Sequence, residues 1–413
     1  MTQRISTQNK MWLLGSLYLS QGLPFGFFTQ ALPVLMRKQG YSLEVIGLTS
    51  MLALPWALKF IWAPLVDQNG SNKVGRRRSW IIPLQFITII ILFCVAMIRT
   101  QADLTPILFA VFIINLLAAT QDIATDGLAV DILSTSERGI GNGIQVAGYR
   151  VGMIIGGGVM LIIYDYISWF GTFATMGLII GLATIPILRH REQPAYKKEV
   201  TTKPNLDIIT FFKRPGMMQV VFLIVVYKTG DAFATSMLRP FLTDMGLDLS
   251  DIGWLLGTVG FISGLAGAVT GGALVNKLGR KTALVYFAAL QAITVAGYAF
   301  IASGFDSKAF LYLLCGAEHM AGGMATAALF TCMMDWCRKE SSATDYTIQA
   351  SLVVIATGVA TLLSGFSAGY FGYSGHFMAA TVISFLSVGA VIALFPSEKN
   401  QQTFLRIREE GAL

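Results

Sequence analysis

Apolar residues run in long blocks along this chain, each closed by a short polar or basic stretch. The blocks fall at roughly 11–36, 43–66, 79–98, 104–129, 140–164, 168–188, 217–241, 251–275, 282–302, 309–334, 346–369 and 374–395. About 20 apolar residues suffice for a helix to cross the hydrocarbon of a bilayer. The pattern therefore predicts twelve membrane-spanning helices. The first block is too long for the apolar part of a cleavable signal peptide and reads as span one.

Composition agrees with an all-α polytopic membrane protein. Of 413 residues, 54% are hydrophobic and 13% charged, with mean hydropathy +0.63, whereas soluble domains carry about a quarter charged residues. The net charge of +7 is sorted by loop rather than gathered into a nucleic-acid patch. With the N-terminus inside, loops on that side hold 22 Lys and Arg against 5 on the other. That bias predicts cytoplasmic termini at both ends. The four cysteines lie in or beside spans without a CxxC pair and read as reduced, small apolar residues.

The longest polar stretch, 189–216, is basic and contains three prolines. It predicts a cytoplasmic linker, with a surface-lying helix at 206–213, between six-span bodies at 1–188 and 217–396; residues 397–413 form a tail. The bodies carry a repeat. "DILSTSERGIGNGIQ" (Asp131–Gln145) and "DWCRKESSATDYTIQ" (Asp335–Gln349) match at an offset of 204, which also relates "GRR" at 75–77 to "GRK" at 279–281. These loops resemble the signature of the major facilitator superfamily, implying two six-helix bundles related by pseudo-symmetry. The C-terminal copy, "GALVNKLGRK", has Asn276 where the signature has an acid. The N-terminal copy keeps Asp67 but inserts five residues before Gly75. An acid near one helix end facing arginines at the next makes a contact that forms in one transporter state and breaks in the other. The gating set is Asp67, Arg76, Arg77, Asp131, Asn276, Arg280 and Asp335.

Ionisable residues inside spans are costly and belong at a cavity or interior face. In mid-membrane they are Lys59, Asp122, Asp126, Arg150, Lys228, Asp231, Glu318 and His319, and spans three, six, nine and twelve carry none there. Asp122 lies fourteen residues before Ser136 and Arg150 fourteen after, hence at one depth, about 20 Å from the turn. Their pairing is expected, with Asp126 one turn away leaving a surplus acid able to hold a proton; a purely structural ion pair is the alternative. Lys228 and Asp231 are spaced to satisfy each other. Glu318 and His319 point about 100° apart on an ideal helix and are read as separate in role, with His319 able to titrate in the working range. Lys59 has no obvious partner and faces a carboxylate or an anionic substrate.

Span one is broken by Gly22, Pro24, Gly26 and Pro33, offering Gln21 and Gln30 to a cavity. Its aromatics, with Trp56, suit contact with a ring-bearing ligand. Substrate-facing candidates are thus Lys59, Arg150, Gln21, Gln30, Lys228, Glu318, His319 and the repeat-related Gln145 and Gln349. Proton-coupling candidates are Asp122, Asp126 and Asp231. Glycines at 148, 152 and 156 predict close helix packing of span five. Span five lacks the proline expected of drug/proton antiporters, which weighs against drug export.

The stretches "SQGLPFGFFTQALPVLMRKQG", "LPWALKFIWAPLVD" and "TQDIATDGLAVDIL…ERGIGNGIQVAGYRVGM" resemble the muropeptide-permease branch of that superfamily, and within it the rhizobactin/pyochelin-type siderophore permeases. The resemblance carries Lys59, Asp122, Asp126 and Arg150 onto the branch pattern. It implies a proton-coupled importer of a ferric siderophore in the bacterial inner membrane, working as a monomer without a resident cofactor or metal. Import of muropeptides is the alternative, and export a more distant one. No phosphate-binding glycine loop, metal-ligand spacing or polar catalytic loop points to an ATPase or an enzyme.

Overall fold

In the computed structural model, which describes residues 6–38, 40, 49–71, 73–98, 105–192, 204–305 and 307–396, each apolar block becomes helix. Residues 193–203 of the expected linker, the start of span two and the tail 397–413 lie outside the described residues. Spans three, four, nine and ten are single helices: Arg78–Met97, Thr105–Ile132, Arg280–Ala302 and Lys308–Asp335. Spans five and six meet at Ser168, which takes φ 57°, and spans eleven and twelve join at Gly372, φ 66°. That positive φ suits a glycine, which has no Cβ to clash.

The spans nearest the charged residues are interrupted. Span one (7–38) widens into a π-helical turn at Phe27–Ala31, just after Pro24. Span two (49–68) is a chain of short pieces, and Lys59 sits where Leu54–Leu58 gives way to a 3₁₀ turn. Span seven breaks at Lys228, between Met217–Tyr227 and Thr229–Ser236. Both mid-span lysines therefore sit at helix breaks, which the apolar pattern does not reveal.

Each half has its own core. Leu23, Phe27, Leu92, Ile114, Phe173 and Ile180 pack together in the N-terminal half; Phe233, Phe241, Val295, Tyr298 and Phe377 do so in the C-terminal half. A third core joins the halves at the end carrying the basic loops, uniting Tyr18, Leu133, Phe211, Val275, Met333 and Tyr346. Phe211 belongs to the linker helix Pro204–Lys213. The expected surface-lying helix thus tucks a fully buried ring beneath the bundle.

Small residues allow the close approaches. A Cβ on Gly148, Gly152 or Gly156 of span five would run into span-one backbone at Gly15, Leu19 or Leu23. Across the halves, Gly139 and Gly272 each occupy the space a side chain would need on the other. Farther from the basic end the packing runs chiefly within each half: the π-helical turns Ile155–Val159 of span five and Gly253–Val259 of span eight pack on helices of their own half. Gly158 of span five, Gly253 and Gly257 of span eight, and Gly358, Gly365 and Gly369 of span eleven have no atom within 4 Å of an added Cβ. The arrangement is a bundle sealed at its basic end, with the halves less tied at the other.

Candidate functional site

At the sealed end, the predicted gating residues form a cross-half network. Arg77, fully buried, pairs with Asp67 at 2.7 Å and Asp131 at 3.2 Å, and donates to Ser342 Oγ across the interface at 2.9 Å. Asp67 in turn accepts the backbone N–H and hydroxyl of Thr344, at 2.6 and 2.5 Å, at the start of span eleven. A carboxylate there satisfies an otherwise orphaned amide and meets the positive end of the helix dipole. Arg76 reaches Asp131 at 3.3 Å.

The second copy differs. Asp335 binds Arg280 and Arg138, both at 2.6 Å, while Asn276 donates to Ser136 O and accepts from Arg280. One lock is thus carboxylate-on-helix and the other amide-on-loop. Glu192 accepts the N–H groups of Arg77 and Arg78 and so ties the start of the linker to the first lock. Burial lowers the basicity of the Arg77 guanidinium, but its two acids outweigh this and hold its pKa above the ordinary range. In the neighbouring loop, burial pushes Glu137 up, yet hydrogen bonds from Lys10, Thr7 and Ser134 bring it down to about 2.

Deeper in the bundle lie two clusters of ionisable side chains. In the N-terminal half Lys59, buried, contacts Asp122 directly and lies 3.9 Å from Asp126. Asp126 also accepts from Tyr18 at 2.7 Å and from Gln145 at 3.3 Å, and Gln145 reaches Tyr346 of the other half at 3.4 Å. Gln21 donates to Thr125 at 3.1 Å. This corrects the expected Asp122–Arg150 pair and gives Lys59 its partners. Equal depth along two helices does not fix which way a side chain turns, and the break in span two delivers a nearer cation.

Arg150 instead crosses to the C-terminal half, where its guanidinium fills the space beside Gly264 of span eight. Glu318 and Asp231 act on its charge, but it forms no ion pair among the described residues. Lys228 and Asp231 pair at 2.6 Å, as their spacing predicts. Glu318 and His319 also pair, at 2.8 Å. Their separation on an ideal helix did not keep them apart, because the imidazole folds back over its own turn towards Cys315 O, 3.0 Å away.

Two candidates stand away from these clusters. Gln30 is exposed beside Gly157. Gln349 is buried and spends its amide on Met333 O and Asp345 O. The sequence reading missed Tyr18 and Thr344 as partners of the buried acids; each owes its role to a neighbour on a different helix. Among the described residues no group of His, Cys, Asp and Glu is placed to hold a metal ion.

The family model described as Major Facilitator Superfamily matches residues 14–317 and 220–412. The chain is 30% identical to an uncharacterized protein of Haemophilus influenzae over 96% of both chains. It is 29% identical to the anhydromuropeptide permease of Escherichia coli over 91% of this chain and 77% of that one. In structure it resembles a bacterial homologue of the iron transporter ferroportin in an outward-facing state. The TM-score is 0.69 at 15% identity, with 94% and 99% of the two chains covered. It also resembles the human organic anion transporter MFSD10, with TM-score 0.71 at 13% identity and coverage of 94% and 100%.

Proposed function

The chain belongs to the major facilitator superfamily, and from that membership we propose that it imports anhydromuropeptides, the sugar-peptide fragments of peptidoglycan, by alternating access. The siderophore expectation gives way here, because the permease named among its relatives carries anhydromuropeptides. The observation that carries the reading is Arg150. It is a cation without an ion-pair partner among the described residues, reaching from one half to Gly264 of the other. A peptide carboxylate entering from the less tied end supplies the missing counter-charge.

The halves, 1–188 and 217–396, rock about the linker 189–216. The basic end lies in the cytoplasm, as positive loops favour, so the less tied end faces outward. Protons are coupled through Asp122 and Asp126, two acids sharing one lysine, with Asp231 as a second carrier. The chain works as a monomer in the inner membrane.

Uptake of labelled anhydromuropeptide and of a labelled ferric siderophore into membrane vesicles containing the protein tests the reading. Anhydromuropeptide alone is expected to accumulate. Arg150→Ala lowers its uptake on the order of tenfold or more, since a buried charged contact is lost. Accumulation of the ferric siderophore instead would restore the other branch of the family.

A further inference from the structure

Three rings from three helices of the N-terminal half converge beside Lys59. Phe25 and Trp56 have centroids 5.6 Å apart, Phe25 and Tyr149 5.8 Å, and Trp56 and Tyr149 6.3 Å, all edge-on or tilted. All three are half-buried. The indole N–H of Trp56 is anchored on Asn115 Oδ1 at 3.0 Å, and the Lys59 ammonium lies 5.6 Å from the Trp56 ring centroid, within cation–π range. The Tyr149 hydroxyl has no hydrogen-bond partner among the described residues.

The C-terminal half does not repeat this corner. Asp131 and Gln145 recur as Asp335 and Gln349 at the offset of 204, but Tyr149 and Arg150 are answered by Val353 and Val354. In the C-terminal half, where Arg150 reaches Gly264, His319 packs on the same helix at Gly260, and Lys228 pairs with Asp231. Around Arg150 the N-terminal half is therefore aromatic, and the C-terminal half carries ionisable groups.

We propose that Phe25, Trp56 and Tyr149 form the sugar subsite of the transported glycopeptide; this rests on the anhydromuropeptide reading. The apolar faces of the pyranose rings pack on the aromatic surface, and the Tyr149 hydroxyl bonds to a sugar hydroxyl or acetamido oxygen. The peptide then extends towards Arg150 and the ionisable groups of the C-terminal half. An uncharged, ring-bearing end matches the aromatic corner, and a charged chain matches the opposite side.

Competition in proteoliposomes tests it, with labelled anhydromuropeptide as the transported species and the peptide-free anhydro-disaccharide as competitor. The disaccharide alone is expected to inhibit wild-type uptake. Trp56→Leu weakens that inhibition about tenfold, and Tyr149→Phe roughly fivefold. If labelled anhydromuropeptide enters but the disaccharide does not compete, the sugar subsite is wrong while the transport reading stands. If the wild type takes up no anhydromuropeptide, the transport reading falls and the subsite with it. Should Trp56→Leu fail to fold, Tyr149→Phe and Phe25→Leu carry the test, and unchanged inhibition in both overturns the subsite.

Discussion

Lys59 serves two acids, Asp122 and Asp126, both buried. Burying two carboxylates against one ammonium leaves one negative charge uncompensated, which costs several kcal/mol unless a proton joins it. On this account Asp122→Asn leaves Lys59 to Asp126 and keeps the fold. It is expected to abolish the stimulation of uptake by an imposed proton gradient while sparing exchange of labelled for unlabelled substrate. Unchanged stimulation would reduce the cluster to scaffolding. The sequence announced these residues by their charge and depth, and the spacing of Lys228 and Asp231 foretold their pairing. It did not announce their other partners. Arg150 and Asp122 share a depth, but the turn of span five towards Gly264 and the break at Lys59 are settled by tertiary packing.

At the level of elements, closure depends on spans five and eight touching through glycine. Gly272→Leu places a side chain where Gly139 O now lies, so it is expected to wedge the basic end apart. A cysteine at Val275, fully buried against Gly139, then reacts several-fold faster with a membrane-impermeant maleimide added on that side. Gly257→Leu, on the same helix but facing open space, leaves the labelling as it was. The twelve spans were legible because lipid imposes a length and an apolar surface on each. The repeat was legible because the basic triplet at 75–77 and the Asp131…Gln145 segment recur at one offset of 204, despite the five residues inserted before Gly75. The breaks in spans two and seven were not, since Lys59 and Lys228 sit in runs whose average hydropathy hides them. The burial of Phe211 was likewise hidden, because its neighbours come from both halves.

Across the whole molecule, two locks of unlike chemistry hold one end shut: Asp67 on the start of span eleven, and Asn276 with Arg280 on the loop before span five. At the other end the packing runs chiefly within each half, and the proposed substrate lies between the aromatic corner and the ionisable groups of the C-terminal half. On the proposed reading the two six-helix bodies exchange one closure for the other when a ligand binds the second state better. Distances between spin labels placed in pairs across the two ends, recorded on the full chain in lipid with and without anhydromuropeptide, test this most directly. The substrate is expected to shorten the distances at the less tied end and lengthen those at the basic end. If neither set changes under conditions where the labelled compound is carried across, alternating access about these locks is contradicted.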